Sequence, residues 1–162
     1  MEKSQLLLIP VPLKYRFGTY DFNYKYHAGE SFTIETIGIN SFGNECNVKI
    51  QFTQYAEIKI FHFNYWEQNY GDSLIKTPFG DYVEDTFDFK NEKFQNYWIQ
   101  KDISPDSGFY IVENSSWYEE RKIYIDLKSR GYMHFLLTGY ESYIELFAKN
   151  DFKIEKISAV LP

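Results

Sequence analysis

The sequence predicts a mainly antiparallel β protein, built as a sandwich or a strongly bent sheet with one or two short helices. Aromatic residues make up 20% of the chain, and 15 Tyr and 15 Phe suit pleated, half-buried surfaces. Alanine, the strongest helix former, is scarce. Several segments also alternate apolar and polar residues, which is the period of a strand. With 162 residues the chain has the length of one domain, so we expect a single β-rich domain over residues 1–162.

The N-terminal third predicts an antiparallel meander. Residues 20–26 alternate aromatic and polar side chains, which predicts a strand. The apolar residues of segment 31–39 change phase halfway, which predicts a bulge or a bend near Thr36. A turn is expected around Gly43, and the alternating segments 47–52 and 56–63 then predict an antiparallel hairpin.

The periodicity fails between residues 65 and 104, where turn residues, charges and isolated aromatics are mixed. We expect a covering segment there, with a short helix somewhere within residues 65–100. A second short helix is expected near residues 115–122, and the last forty residues are expected to form three antiparallel strands. Strand patterns return in the segments GFYIV, KIYIDL, YMHFLLTG, SYIELFAK and FKIEKISAV.

The stretch PDSGFYIVENSSWYEER, residues 105–121, joins a turn, a strand and a helix start. Its first four residues have the composition of a β-turn. Ser116 and Glu119 have the spacing of a capping box, and Ser115 is an equally suitable helix cap. Trp117 is expected to anchor this helix on the sheet. The alternative is that Trp117 and Tyr118 present an aromatic contact to a partner.

The net charge and the cysteine content indicate which partners and which cellular compartment to expect. The net charge of −6 opposes a phosphate-tracking surface, so nucleic acid is not an expected partner. The single Cys46 has no intramolecular disulfide partner, and the N-terminal apolar run is too short for a secretory signal. No segment is apolar for long enough to cross a membrane. We therefore expect a cytoplasmic protein that contacts no membrane.

Catalytic and metal motifs are missing from the sequence. The three His residues have neither the helical nor the strand spacing that places two imidazoles on one metal, and one Cys excludes a typical zinc site. No phosphate-binding glycine loop and no nucleophile elbow around Ser115 or Ser116 occurs. We therefore expect no metal, no cofactor and no catalytic residue.

Glu145 is the most informative single carboxylate, because it shares a strand face with Tyr143 and Phe147. A carboxylate between aromatics is costly if it is buried and unpaired. It is therefore exposed, paired with Lys or Arg, or functional with a raised pKa. His134, inside the most apolar strand, is expected to be a hydrogen-bonded core histidine or an edge contact, and not a metal ligand.

An acidic, aromatic-containing segment lies at residues 81–89, and we interpret it as a contact surface for a basic partner. Exposed aromatics around Trp98 and Trp117 are expected to extend it. The partner-binding residues predicted on this basis are Asp81, Tyr82, Glu84, Asp85, Asp88, Trp98, Trp117 and Tyr118.

The last sixty residues carry a spaced pattern of the form P-x-x-G-F-Y-x-V-x-x-S-x-W, followed by H-[FY]-x-x-x-x-x-[DE]-S-x-x-E-x-x-A. The pattern resembles one seen in small uncharacterised bacterial proteins, some of which look like the immunity partners of polymorphic toxins. That resemblance implies protein binding and carries no catalytic assignment. The matching positions are Pro105, Gly108, Phe109, Tyr110, Val112, Ser115, Trp117, His134, Phe135, Ser142, Glu145 and Ala148.

These observations favour non-catalytic protein binding in a bacterial cytosol, with neutralisation of a basic toxin domain as the sharpest form. A small-ligand or carbohydrate-binding β module, with Tyr and Trp as stacking platforms, stays open. An enzyme that uses Glu145 and a second carboxylate also stays open. Clustering of Glu145 with His134 in a cavity would favour the enzyme, whereas burial of His134 in the sheet core would disfavour it.

Overall fold

Two β-sheets and several short helices form the structure, a computed structural model that describes residues 5–27, 31–83 and 91–157. Strands account for 46% of it and helices for 20%, which confirms the predicted mainly β class. The strands are β1 (Leu7–Pro10), β2 (Asn23–His27), β3 (Ser31–Ile39), β4 (Glu45–Phe52), β5 (Tyr55–His62), β6 (Leu74–Thr77), β7 (Gly80–Val83), β8 (Phe109–Val112), β9 (Tyr132–Thr138), β10 (Ser142–Lys149) and β11 (Lys153–Lys156). The helices are α1 (Trp66–Tyr70), α2 (Glu92–Lys101), α3 (Trp117–Glu120) and α4 (Lys122–Ser129), and a 3₁₀ turn at Phe63–Tyr65 precedes α1.

The larger sheet has seven strands in the order β5-β10-β9-β8-β1-β6-β7, and the smaller has four in the order β11-β4-β3-β2. Strands β1 and β6 run parallel, and every other strand pair of the described residues is antiparallel. The apolar strands β9 and β10 therefore lie inside the larger sheet, as their sequences predict for central strands.

The main core fills the space between the two sheets. Because side chains alternate along a strand, Phe135 and Leu137 of β9 share this face with Ile144 and Leu146 of β10. They meet the inward residues of the smaller sheet, which are Phe32, Ile34, Val48, Ile50 and Phe52. Burial of these apolar side chains is the dominant favourable term that holds the sheets together.

The opposite face of the larger sheet, here called the outer face, is covered by helices. Leu136 and Tyr143 pack against Trp66 and Tyr70 of α1. Farther along β10, Phe147 packs against residues of α3 and α4. The alternate residues of β9 and β10 are therefore buried on this face as well, and the candidate site lies between these two groups of helices.

The predicted hairpin of residues 47–52 and 56–63 is wrong. The strands β4 and β5 form where the alternation predicts them, but β4 pairs with β3 and β11, whereas β5 pairs with β10 of the other sheet. The short link between them is a sandwich corner, held by a hydrogen bond from Lys149 N–H to Gln54 O (3.0 Å). Such a corner and a hairpin turn have similar lengths, so alternation alone does not separate them.

The bulge predicted near Thr36 is also wrong, because β3 and β4 pair in unbroken register from Phe32 to Ile39. The alternate residues of β3 that face the core include Thr36 and Gly38, which are buried although they are not large apolar residues. A Cβ atom at Gly38 would lie 2.8 Å from Tyr15 Cβ, so Tyr15 and its neighbours fill the space at this end of the strand.

The segment KIYIDL is a helix and not the predicted strand. It opens α4, in which Tyr124 and the partly buried Leu127 pack towards the sheet at a helical spacing of three residues. Ile123 and Ile125, predicted to alternate inward, are exposed by 60% and 59%. A six-residue alternation is too short to separate the two periods.

The middle segment holds more regular structure than the predicted single helix. It contains α1, the antiparallel pair β6 and β7, and α2. The last forty residues do contain the strands β9, β10 and β11, but β11 leaves the first two and joins the smaller sheet beside β4.

The segment predicted as a β-turn, residues 105–108, is buried and bends at Pro105 and Gly108, and its local hydrogen bond runs to the Asp106 side chain instead of closing a backbone turn. Asp106 Oδ1 accepts hydrogen bonds from Gly108 N–H (3.0 Å) and Tyr110 O–H (2.5 Å). Burial raises the pKa of Asp106. Gly108 has φ +73°, and a Cβ atom there would lie 2.6 Å from Phe17 O, so only glycine fits.

Gly108→Ala should therefore lower the free energy of unfolding by about 3 kcal/mol or more, because left-handed strain and a backbone clash act together. Gly43→Ala is the matched control: Gly43 has φ +80°, but a Cβ atom there meets nothing within 4 Å. The control should lose only about 1 kcal/mol. Urea denaturation of the two variants checks this, and equal losses would contradict the assigned close contact.

Candidate functional site

A cavity of about 550 Å³ lies on the outer face of the larger sheet, between α1 and the segment that leads into α3. We call it the outer cavity. It is bounded by strand side chains from β5, β8, β9 and β10 and by residues of the two helical regions. Its lining residues are Leu6, Lys59, Phe61, Asn69, Tyr70, Val112, Asn114, Ser115, Ser116, Trp117, Glu119, Glu120, His134 and Glu145.

A chain of hydrogen-bonded side chains runs along one wall of the outer cavity. Ser115 Oγ lies 2.6 Å from His134 Nδ1, and His134 Nε2 lies 3.2 Å from Glu145 Oε1. Tyr70 O–H donates to the same Glu145 oxygen. We call Ser115, His134, Glu145 and Tyr70 the polar chain. They come from four separate elements, which the fold brings to one place.

A neutral His134 ring fits the polar chain when Nε2–H donates to Glu145 Oε1 and Nδ1 accepts from Ser115 O–H. Ser115 Oγ in turn accepts from Trp117 N–H (3.1 Å). Both ring nitrogens then have a hydrogen-bond partner. His134 is 3% exposed, which confirms the hydrogen-bonded core histidine that its sequence position predicts.

Glu145 is 6% exposed, so the expectation of an exposed carboxylate or one paired with Lys or Arg is wrong. Instead, Tyr70 and His134 both form hydrogen bonds with the Oε1 atom of Glu145. Burial raises the pKa of Tyr70 strongly, and the adjacent Glu145 carboxylate raises that pKa further, so Tyr70 stays a donor. A buried carboxylate is tolerated only with such hydrogen bonds.

Trp117 forms the aromatic wall beside the polar chain. Its indole ring stacks on the His134 imidazole, with centroids 3.9 Å apart and planes inclined by 10°. Lys59 Nζ lies 4.7 Å from the Trp117 ring centroid in a cation–π contact. Trp117 also packs against Phe147, which confirms its role as the anchor of α3.

Helix α3 begins where predicted, but the capping box does not form. Ser116 makes no side-chain cap hydrogen bond and instead contacts Glu120 Oε1 at 3.3 Å. The adjacent Ser115 takes the local role by accepting from Trp117 N–H, as the alternative cap would. Its hydroxyl therefore serves the helix start and His134 together.

The structure describes five of the predicted partner-binding residues, and they differ in exposure and in their contacts. Trp98 and Trp117 are only 5% and 7% exposed, so their predicted exposure is wrong. Both side chains pack inside the protein, and Trp98 donates its indole N–H to Lys14 O (2.9 Å). Asp81 is exposed on β7, at the edge of the larger sheet far from β10. Two others are partly buried, with Tyr82 against Phe94 and Tyr118 against Phe147. Glu84, Asp85 and Asp88 lie outside the described residues.

Sequence reasoning missed Tyr70 and Lys59 as members of the site. Tyr70 lies in a segment with no sustained period, and Lys59 occupies an outward position of an alternating strand, which is where a solvated lysine is normally found. The available signal was the placement of His134 and Glu145 in strands that are otherwise apolar on both faces, since polar residues there require partners.

No family model matches the chain, and neither a curated protein nor a solved structure is significantly similar to it. Within the described residues, no helix combines the length and apolar character needed to cross a membrane. The same part of the chain contains no group of three His, Cys, Asp or Glu side chains that is placed to hold a metal ion.

Ser115→Ala should lower the free energy of unfolding by about 1–3 kcal/mol, because it leaves His134 Nδ1 without its donor and Trp117 N–H without its acceptor. Ser116→Ala is the matched control, since Ser116 bonds only an exposed side chain. The control should change stability by about 0.5 kcal/mol or less. Chemical denaturation measures both values, and a Ser116 loss as large as that of Ser115 would refute the assigned bonding.

Proposed function

We propose that this chain binds a basic protein partner without carrying out chemistry on it. Neutralisation of a toxin in a bacterial cytosol is the sharpest form of the proposal. One observation carries it: Ser115, Trp117, His134 and Glu145, all positions of the pattern that resembles immunity proteins, meet at one wall of the outer cavity.

The charge of the outer cavity favours a basic partner. Three carboxylates line it, from Glu119, Glu120 and Glu145, and the ammonium group of Lys59 opposes them. The whole chain carries a net charge of −6, which steers a basic protein towards it. In this proposal Asp81, at the other edge of the sheet, is a separate source of steering charge.

The carbohydrate-binding alternative gains less support from this geometry. A sugar platform needs an open aromatic face. At Trp117 the ring is stacked on His134, and the Lys59 ammonium group also lies over the ring. A flat sugar ring would have to displace one of these two contacts.

A hydrolase is the second candidate, and the order Ser115–His134–Glu145 is the observation that favours it. Serine hydrolases hydrogen-bond a nucleophile, a base and an orienting carboxylate in the same order, and the base takes the serine proton as Oγ attacks a carbonyl. There the serine faces Nε2 of the histidine, whereas Ser115 faces Nδ1 of His134 and Glu145 faces Nε2. The distance from Ser115 Oγ to His134 Nδ1 is 2.6 Å. Against this, Ser115 is 5% exposed and its Oγ is already held by Trp117 N–H, so attack on a substrate requires an opening of the site.

The binding proposal is tested with the product of the neighbouring open reading frame. We expect that product to be toxic alone, to be tolerated with this chain, and to form a stoichiometric complex whose affinity falls with added salt. A Glu119→Lys, Glu120→Lys variant should weaken the complex by about tenfold or more, because two cavity charges are reversed. The matched control reverses two other exposed acids, Glu141→Lys and Asp151→Lys. A harmless product that forms no complex, or equal losses in both variants, would contradict the proposal.

The hydrolase candidate is tested with a fluorophosphonate reagent, which labels activated serines. Under the binding proposal we expect no label on Ser115, as measured by peptide mass spectrometry. Stoichiometric labelling of Ser115 that is lost in His134→Gln and retained in His62→Gln would contradict the non-catalytic assignment and establish the hydrolase instead.

A further inference from the structure

We propose that the outer cavity recognises a single ammonium or guanidinium group beside Glu145 and Trp117, and that Lys59 competes with that group for the Trp117 ring in the unbound protein. The inference deepens the proposed function, on which it rests for one point only: the source of that group is a basic side chain of the protein partner. The recognition chemistry itself follows from the residues of the cavity.

The first support is the buried carboxylate. Glu145 Oε1 accepts from Tyr70 and His134, whereas Oε2 has no hydrogen-bond partner among the described residues. The Glu145 side chain is more than nine-tenths buried and lines the outer cavity. Oε2 is not among the fully buried unsatisfied atoms, so a donor that enters the cavity can reach it and bond to it. An ammonium or guanidinium group supplies such a donor together with the complementary charge.

The second support is the balance of charge around the cavity. Its lining contains three carboxylates and one ammonium group, which is a net charge of −2. Glu119 and Glu120 are exposed, so salt screens them, but Glu145 is buried and its field is screened less. An anionic group would therefore be repelled where a cationic group is attracted.

The third support is that a cation already uses the aromatic wall. His134 covers one face of the Trp117 ring, and the Lys59 ammonium group lies over the ring at 4.7 Å from its centroid. Trp is the most favourable aromatic side chain for this interaction. The Trp117 ring therefore already accepts a positive group, which Lys59 supplies in the unbound protein.

Lys59 is placed to leave this position when a second cation arrives. It lies on β5, an edge strand of the larger sheet, directly opposite Glu145. Its side chain is 39% exposed, and its ion pair with Glu57 is long, at 3.6 Å. Glu57 also pairs with Arg121 at 3.2 Å, so Glu57 keeps a cationic partner after Lys59 moves. A flexible lysine stem can carry the ammonium group into solvent without a change in the backbone.

The experiment is a titration of the purified chain with N-acetylarginine methylamide, and with the uncharged citrulline analogue as the ligand control. Lys59→Met keeps the stem and removes the competing charge, so it should tighten binding by at least about threefold. Glu145→Gln keeps an acceptor for Tyr70 and His134 but removes the charge, so it should weaken binding by about tenfold or more. The citrulline analogue should not bind.

Matched control variants are available on the smaller sheet, where Lys49 and Glu155 form a surface pair at 2.8 Å. Lys49→Met and Glu155→Gln should leave binding unchanged. The Lys59 variant keeps the test decisive even if Glu145→Gln fails to fold, because Lys59 is at the surface. Absence of binding to wild type and to Lys59→Met, or equal effects of the two Lys variants, would overturn the inference.

The same variants separate this inference from the proposed function. A toxin-like partner that binds with an affinity unchanged in Lys59→Met and Glu145→Gln would overturn the cavity assignment and leave the partner proposal standing. Specific binding of the arginine ligand by a chain that neutralises no toxin would support the cation site and contradict the proposed partner.

Discussion

The burial of strands β9 and β10 on both faces is the constraint on which the rest of the structure depends. One face supplies the core between the sheets, and the other is covered by α1, α3 and α4. Every outer-face side chain must therefore be apolar or find a hydrogen-bond partner inside the protein. His134 and Glu145 are polar residues at such positions, and their need for partners links two strands to Ser115 and Tyr70.

The hydrogen bonds that His134 and Glu145 require also determine which groups line the outer cavity. The donors available along the polar chain converge on one oxygen of Glu145, and the carboxyl group lies beside an open volume. Stacking on His134 fixes the Trp117 ring at the edge of that volume. A charged acceptor and a rigid aromatic wall held side by side are the usual elements of cation recognition. The packing constraint and the proposed function thus involve the same few residues.

Much of the fold was predictable from local pattern, and the site was not. Alternation located β4 and β10 correctly because their burial follows the strand period. It did not show that the chain changes sheets at Gln54, since sheet membership depends on contacts distant in sequence. It assigned a strand where α4 forms, because a short alternating run fits either period. Glu145 was singled out by its aromatic neighbours, yet its partner Tyr70 comes from a segment without a readable pattern, and only the tertiary structure joins them.

The most direct test of the central claim is a proton–nitrogen NMR titration with the arginine ligand, read at the three tryptophan indole signals. Trp117 forms the cavity wall, whereas Trp98 is hydrogen-bonded to Lys14 O outside the cavity and serves as an internal reference. The account predicts that the Trp117 indole signal and the His134 ring signals shift in a saturable way while the Trp98 signal stays in place. A spectrum in which Trp117 does not move, or in which Trp98 moves as far, would contradict a cation site at the outer cavity.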